Sequence, residues 1–175
     1  MTTPHQKPFA ELEDLGGASD FVQEIQEILK TQSIFEGFSA QESALLCEYM
    51  ECYGAPSRTT VLSEGDRGDF LIIILTGHIN VVKIDESGDS KAIAEVGPGD
   101  FLGEMALFDD QPRFASCITT EPADYAVLTR SALNDILIDH PRLGNKLLLT
   151  LLQRMTERLR DAVTRMLPNT PGSVI

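Results

Sequence analysis

The sequence predicts an α+β fold: a β-roll, which is a jelly-roll-like barrel, flanked by N-terminal helices and one long C-terminal helix. Two observations carry this prediction. Between residues 58 and 130, short apolar runs alternate with turn signals such as Gly97-Pro98-Gly99, a spacing typical of short antiparallel strands. After residue 140, leucines and methionines recur every three or four residues, which is the period of a helix with one apolar side.

A chain of 175 residues can bury one good core, so we expect a single domain with helical flanks. The first residues are polar and contain glycine and proline, which indicates a loosely ordered arm. The predicted division is an arm over 1–18, a domain over 19–167 with its β-roll at about 58–130 and its C-terminal helices at 131–167, and a tail over 168–175.

Two small helices are predicted ahead of the roll. Asp20 can cap the first, and Ser39 with Glu42 forms a capping box for the second. Each helix carries apolar side chains on one side: Phe21, Ile25, Ile28 and Leu29 in the first, then Leu45, Leu46 and Tyr49 in the second.

The strands of the roll are predicted from the apolar runs between the turns. Their inward faces would form the wall of a pocket. The candidate strands are Phe70 to Leu75, Ile79 to Ile84, Lys91 to Val96, Ala115 to Thr119 and Tyr125 to Leu128.

The last predicted element is a long helix that Pro141 can begin and Pro168 would end. Its apolar side chains follow heptad spacing, and the stripe continues past the expected edge of the domain, which favours a homodimer through this helix. The alternative is a helix that only covers the core of its own chain. The heptad positions are Leu148, Leu152, Met155, Leu159, Ala162 and Met166.

Composition and charge exclude several function classes. The net charge of -13 disfavours nucleic acid as a direct partner, because DNA binding draws on clustered Lys and Arg. No apolar run approaches the length that spans a membrane, and no leader-like segment opens the chain, so we expect a cytoplasmic protein. The three cysteines, Cys47, Cys52 and Cys117, fit no metal or redox spacing and are expected to be reduced core thiols.

An enzyme is not expected. The three histidines stand in an arm, a hairpin and a helix entry, which is no ligand set for a metal. No Gly-x-Ser-x-Gly elbow, P-loop or Cys-x-x-Cys pair is present, so neither covalent nor phosphoryl-transfer catalysis has a candidate constellation. We therefore expect no metal and no cofactor.

One segment has the residue types that hold a cyclic phosphodiester. Gly103 can open a short helix with free N–H groups, and Ala106 leaves that approach open. Arg113 can offer two parallel donors to phosphate oxygens, which lysine cannot match. Glu104 is the natural acceptor for a ribose 2′-hydroxyl.

The run from Gly97 to Leu107, followed by Pro112 to Ser116, resembles the phosphate-binding cassette of the cyclic-nucleotide-binding domain family. Upstream, Glu64 to Gly77 is similar to that family's paired strands with their turn glycines. The resemblance covers about residues 34 to 160. It implies a β-roll that binds a cyclic nucleotide through the cassette residues Gly103, Glu104, Met105, Ala106, Arg113, Phe114 and Ala115.

Two positions refine this expectation. Phe114 stands where cAMP sites of the family usually carry Ala or Ser and cGMP-selective sites often carry Thr, so the usual route to cGMP is missing. Aligning His140-Pro141 with the matching dipeptide of the bacterial activators places Arg158 where a side chain caps the purine. Arginine can stack on a base or donate to purine acceptors.

The expected function is that of a stand-alone regulatory protein that binds a cyclic nucleotide, preferably cAMP, and signals to an unidentified effector protein by movement of its C-terminal helix. The bacterial activators continue into a helix-turn-helix domain, whereas this chain ends shortly after Leu167, which disfavours DNA reading. Two alternatives stay open: a ligand-free scaffold dimer with Phe114 filling the phosphate site, and a cyclic di-GMP sensor.

Overall fold

The structure is a computed structural model that describes residues 12–31 and 37–166. It contains a short 3-10 turn, nine strands and five α-helices in this part of the chain. In chain order, after the turn at Ala18–Phe21, the helices are α1 Val22–Thr31, α2 Ala40–Cys47, α3 Met105–Phe108, α4 Arg130–Asp139 and α5 Pro141–Met166. The strands are β1 Glu13–Gly17, β2 Glu51–Ala55, β3 Thr60–Leu62, β4 Phe70–Ile74, β5 Ile79–Ile84, β6 Ser90–Val96, β7 Phe101–Leu102, β8 Ser116–Thr119 and β9 Ala123–Thr129.

The strands form two antiparallel sheets that face each other. One has the order β1-β2-β9-β4-β7 and the other β3-β8-β5-β6. The predicted α+β class, with a roll followed by a long helix, is confirmed. All five strands predicted from apolar runs are present, within two residues of their expected limits.

Strand β4 has an uninterrupted apolar sequence because both of its faces are buried. Phe70, Ile72 and Ile74 point into the space between the two sheets, in one core cluster. Leu71 and Ile73 point the other way, into a second cluster that contains the helices. Because both faces of the strand are covered, every one of its side chains is buried.

The helices form a layer on the outer face of the first sheet. The predicted capping box of α2 is present: the Ser39 hydroxyl accepts from the N–H of Glu42, and the Glu42 carboxylate accepts from the N–H of Ser39. Lys146 of α5 donates to the same carboxylate at 2.7 Å. This contact fixes α2 against the long helix.

Part of the predicted arm has regular secondary structure. Residues 13–17 of the predicted arm form β1, which pairs with β2, and Ala18 is fully buried. The roll also begins earlier than predicted, because β2 starts at Glu51 and the predicted start was about residue 58. Neither strand contains a run of branched apolar residues, and β1 has only one leucine between acidic residues and glycines. These two strands are therefore defined by their pairing and not by their composition.

Strand β6 is an edge strand, paired with β5 on one side only. Its register slips between Val81 and Val82, whose partners are Ala94 and Ala92, so Ile93 forms a bulge. Six of its seven residues are exposed.

Helix α5 has two different halves. As predicted, it begins at Pro141, and its buried residues all lie in the first half, up to Leu151. From Leu152 onward the apolar side chains are mostly exposed, including Leu159 at 64% and Met166 at 81%. The predicted stop at Pro168 lies outside the described residues.

The three cysteines are free and buried, as predicted. Burial raises the pKa of the Cys47 thiol to about 12 and that of the Cys52 thiol to about 11, so both stay protonated at neutral pH. Within residues 12–31 and 37–166, no helix combines the length and the low polarity needed to cross a lipid bilayer.

Candidate functional site

The predicted cassette connects β7 to β8 along the edge of the first sheet. Gly103 follows β7 directly and has a φ of +79°, a conformation that favours glycine. Helix α3 starts at Met105, two residues later than the sequence suggested, with Glu104 at its N-cap position. Among the described residues, none accepts a hydrogen bond from the backbone N–H of Met105 or Ala106.

Arg113 lies inside the cassette, not on its surface. Its Nη1 donates to the carbonyl oxygen of Gly103 at 2.7 Å, and its Nη2 donates to the carbonyl oxygen of Phe70 at 2.8 Å. The guanidinium carbon stands 4.5 Å from the centre of the Phe70 ring. The side chain therefore ties the cassette to β4 as well as supplying a cation.

Two glycines make room for this guanidinium. A Cβ on Gly103 would stand 2.5 Å from Nη1 of Arg113, and a Cβ on Gly68 would stand 2.8 Å from Nη2. Burial lowers the pKa of Arg113, but an arginine keeps its charge at neutral pH. A guanidinium has five N–H groups and the two carbonyls engage two of them, so donors remain for an anion.

Glu104 is also buried, at 8% exposure, and pairs with the long helix. Its Oε1 accepts from Nη1 of Arg158 at 3.0 Å. Glu104 acts on Arg113 electrostatically, yet no hydrogen bond or ion pair joins the two in the described part of the chain. The two buried charges of the cassette therefore have separate partners.

Arg158 makes further contacts with the cassette. Its Nη2 donates to the carbonyl oxygen of Phe101 at 2.6 Å, and its guanidinium carbon stands 5.0 Å from the centre of the Phe101 ring. One helical turn earlier, Arg154 pairs with Asp100, which holds the turn before β7. Two arginines of α5 thus contact two carboxylates of the cassette region.

The sequence analysis missed Asp100, Phe101 and Arg154. A signal for them was present, since Asp100 and Glu104 are four residues apart and Arg154 and Arg158 are four residues apart as well. Side chains four apart on a helix lie on one face. Two acidic residues in one segment and two basic residues in another, with the same spacing, indicate two ion pairs between the segments. The sequence analysis did not consider this.

Phe114 does not fill an enclosed site. Its side chain is 58% exposed, and Nζ of Lys83 stands 4.5 Å from the centre of its ring. Lys83 also donates to the carbonyl oxygen of Phe114 at 2.6 Å and to Glu64 at 2.5 Å. These contacts fix Phe114 at the rim of the cassette.

The remaining predicted site residues lie beside these groups. Ala106 is buried, Ala115 is half-buried and Met105 is exposed. Arg130, at the start of α4, donates to the Ala106 carbonyl oxygen at 2.6 Å, which joins α3 to the helical layer. The predicted site residues are therefore all located around one cassette, with Arg158 reaching it from α5.

Cys117 of β8 lies underneath these charges. Burial, together with the Glu104 carboxylate, raises the pKa of its thiol to about 12, and Arg113 and Arg158 act in the opposite direction. Three charged side chains thus come within electrostatic reach of one buried thiol. Within the described ranges no cluster of three or more His, Cys, Asp or Glu side chains is suited to a metal ion.

The chain matches a family model described as cyclic nucleotide-binding domain over residues 54–140. A solved cyclic nucleotide-binding domain from Methylobacillus flagellatus is 45% identical, with a TM-score of 0.84, and the similarity covers 98% of this chain and 96% of that one.

Two further relatives are more distant. A CRP-like cAMP-activated global transcriptional regulator from Mycobacterium tuberculosis is 29% identical over 150 residues, covering 86% of this chain and 67% of the regulator. The regulatory domain of PKA from Toxoplasma gondii, solved with cAMP, is 27% identical with a TM-score of 0.58, covering 67% of this chain and 44% of that one.

Proposed function

Because this chain belongs to the family of cyclic nucleotide-binding domains, we propose that it is a regulatory protein that binds a cyclic nucleotide, with cAMP preferred, and acts on another protein. The observation that carries the proposal is the pair of buried charges in the cassette, Glu104 and Arg113. Both groups can make hydrogen bonds beyond those in the structure, since Arg113 uses two of its five N–H groups and Glu104 accepts from Arg158 at one of its two oxygens. Two relatives of the chain, a transcriptional regulator and the regulatory domain of PKA, are described with cAMP.

Each part of the ligand has a proposed partner. The unused N–H groups of Arg113 and the free backbone N–H groups of Met105 and Ala106 would bind the phosphate. The carboxylate of Glu104 would accept from the ribose 2′-hydroxyl. Gly103, Phe114 and Ala115 would line the site.

Arg158 is the proposed ligand-binding residue that lies outside the cassette, on α5. We expect it to reach the base, because a guanidinium can stack on a purine. In the structure, its guanidinium also donates to Glu104. Movement of α5 when the nucleotide binds would then change the surface offered to an effector protein.

A homodimer through α5 is part of the proposal. The exposed side chains Leu152, Leu159, Val163 and Met166 form a stripe on one side of the second half of the helix. Their spacing by three, four or seven residues suits packing against a second copy of the same helix. The stripe is long and apolar, which is typical of a covered surface.

The proposal includes no catalysis, no cofactor and no nucleic-acid partner, and it keeps the cytoplasm as the location. In the described residues, the charged side chains of the cassette hold neighbouring segments in place through hydrogen bonds. The sequence contains no candidate nucleophile with a general base beside it near these side chains.

Calorimetric titration with cAMP, cGMP and cyclic di-GMP tests the proposal. We expect saturable binding of cAMP that weakens about tenfold or more in Glu104→Gln, because the ribose hydroxyl loses its charged acceptor. Glu95→Gln, on the exposed face of β6, is the matched control and should bind as the wild type does.

Two results would lead to other functions. Binding of cyclic di-GMP alone would identify a dinucleotide sensor. Silence with all three nucleotides would reject the sensor and leave a dimeric scaffold, the alternative in which only the fold and α5 are used.

A further inference from the structure

A small cavity lies between α1 and the outer face of the first sheet, and none of its lining residues belongs to the cassette. Its volume is about 160 Å³, enough for a few heavy atoms, since one water takes about 30 Å³ in the liquid. Most of its wall is apolar and comes from β1, the 3-10 turn, α1 and the residue after β4. The apolar side chains are Leu15, Phe21, Ile25, Ile28 and Leu75.

Two carboxylates also line this cavity, those of Glu24 and Asp124. Oδ2 of Asp124 accepts from the hydroxyl of Thr76 at 3.0 Å, whereas no group of the described chain donates to its Oδ1. Burial, together with the Asp124 carboxylate, raises the pKa of the Cys52 thiol, which lines the same cavity, to about 11. The cavity therefore combines apolar walls with a charged acceptor that has unused capacity.

Gly54 leaves space beside this acceptor. It pairs with Asp124 in the ladder between β2 and β9, and its φ lies outside the left-handed region, so its backbone does not require glycine. A Cβ at this position would stand 3.2 Å from Oδ1 of Asp124. Glycine inside a strand weakens the strand and often marks a place that a ligand or another chain approaches closely. The missing side chain keeps Oδ1 accessible.

The surroundings of the cavity are acidic. Glu13 is a third carboxylate, and its Cβ would stand 3.7 Å from a Cβ on Gly54. Across residues 12–31 and 37–166, no Lys, Arg or His forms an ion pair with Glu13, Glu24 or Asp124. Uncompensated negative charge around an apolar cavity favours a cation as the occupant, and the net charge of -13 attracts a basic partner.

We propose that this cavity is a docking site for a basic segment of a partner protein, which inserts one lysine side chain between α1 and the sheet and pairs its ammonium with Asp124. The inference goes beyond the proposed function, because a nucleotide in the cassette would not touch this surface. It can hold whether or not the chain binds a nucleotide.

The chemistry of the cavity matches a lysine side chain. Its aliphatic stem can pack against Phe21, Ile25 and Leu75, while its compact ammonium donates to Oδ1 of Asp124. An apolar side chain without charge would bury this carboxylate and leave it without a donor, which costs free energy. An acidic side chain would be repelled.

The extent of the acidic surface favours a protein segment over a free amine. Glu13 does not line the cavity, and both Glu13 and Glu24 are exposed. A single ammonium held by Asp124 leaves these two carboxylates uncompensated. Further basic residues on the same segment would lie beside them, where opposite charges steer association.

The experiment titrates the full-length protein with three probes and follows its backbone amide NMR signals. The probes are N-acetyl-tetralysine amide, n-butylammonium, which is the lysine side chain alone, and n-butanol, which has the same stem without the charge. Asp124→Asn keeps an acceptor for Thr76 and removes the charge. Glu95→Gln removes the same charge from the exposed face of β6 and is the matched control.

We expect the peptide and n-butylammonium to shift the amide signals of Leu15, Ile25 and Leu75. Asp124→Asn should weaken peptide binding about fivefold or more, because the ammonium loses its charged acceptor, and Glu95→Gln should bind as the wild type does. Equal weakening in the two variants would show that only net charge matters. That result, or shifts by n-butanol as large as those by n-butylammonium, would overturn the proposal.

Gly54→Ala tests the close approach without changing any charge. Its methyl group would stand 3.2 Å from Oδ1 of Asp124, so we expect weaker peptide binding, while the ordinary backbone conformation leaves the thermal midpoint equal or higher. This variant decides the question if Asp124→Asn does not fold. Unchanged peptide affinity in Gly54→Ala would overturn the proposal.

Other occupants give different results. Binding of n-butylammonium but not of the peptide would identify a site for free amines, and no binding of either probe would leave an empty packing gap. Sedimentation velocity covers a second copy of the chain: a wild-type dimer that Asp124→Asn dissociates would mean that a basic segment of another copy occupies the cavity. Each of these three results would overturn docking of a partner protein, and none bears on nucleotide binding.

Discussion

Gly103 and Arg113 require each other: the carbonyl oxygen of Gly103 accepts from Nη1 of Arg113, and the missing Cβ of Gly103 leaves the space in which that guanidinium lies. A side chain at position 103 would stand 2.5 Å from the same nitrogen. The turn of the cassette and its cation are thus one structural unit.

Gly103→Ala should destabilise the domain more than a change at another left-handed glycine. Gly88 has a φ of +84° with nothing within 4 Å of its missing Cβ, so Gly88→Ala isolates the backbone strain. We expect losses in the free energy of unfolding of about 1 kcal/mol for Gly88→Ala and about 3 kcal/mol for Gly103→Ala, measured by urea denaturation. Equal losses would show that Arg113 accommodates the methyl group.

Arg113→Ala should destabilise the protein even in the absence of any ligand. It leaves the carbonyl oxygens of Gly103 and Phe70 without their donor in a buried region, at a cost of about 2–4 kcal/mol in unfolding free energy. Arg113→Lys, which cannot reach both carbonyls, should lose about half as much. Urea denaturation of both variants checks this, and an unchanged midpoint in Arg113→Ala would contradict the bracing role.

Phe114→Ala should have little effect on stability. Its ring is 58% exposed and mainly contacts Lys83, so we expect a loss below about 1 kcal/mol. Phe101, which is fully buried, is the matched control, and Phe101→Ala should cost about 3–5 kcal/mol. A comparable loss in Phe114→Ala would mean that the ring fills a cavity, as the scaffold alternative requires.

Replacing Leu152 and Leu159 together by Asp should favour the monomer. Both side chains are exposed in one stripe of α5, so the change places charges in the proposed interface with little effect on the fold. Sedimentation velocity of the variant and the wild type measures the result. Ile138→Asp, at a 77% exposed position on α4, is the control and should sediment as the wild type does. A monomeric wild type would reject the dimer.

The contact between Glu42 and Lys146 should contribute a pH-dependent stability. The Lys146 ammonium and the N–H of Ser39 hold the pKa of Glu42 below its ordinary value. The ionised carboxylate therefore stabilises the fold at neutral pH, and this contribution is lost as the pH falls below about 4. Both side chains are about one-third exposed, so we expect only about 0.5 kcal/mol.

Glu42→Gln tests this sign. The difference in unfolding free energy between wild type and variant should be largest at about pH 7 and shrink at about pH 3. Taking the difference removes the contributions of other carboxylates with lowered pKa values, such as Glu64 and Asp110. A difference that grows on acidification would contradict the prediction.

The sequence predicted the parts of the fold that depend on local signals. The capping box at Ser39, the start of α5 at Pro141 and the five apolar strands all rest on neighbouring residues, and the structure contains each of them. Strand β1 was missed because its pairing with β2 is nonlocal. Its sequence has no alternating apolar pattern to indicate a strand.

The site was predicted in composition but not in its contacts. Motif spacing located Glu104, Arg113 and Arg158, whereas their partners depend on how α5 lies against the cassette. The carbonyl oxygens that Arg113 engages have no sequence signal, since every residue has one. Side-chain pairing between segments fifty residues apart can be suspected from matched charge intervals and needs tertiary structure to be assigned.

The bulge at Ile93 interrupts one exposed edge of the second sheet. An exposed edge strand is a template on which another chain can add a strand, and fibrillar association begins in this way. The slipped register of β6 interrupts the row of outward N–H and C=O groups, so a straight strand cannot pair along its whole length. Sheet extension at the β6 edge is thereby obstructed.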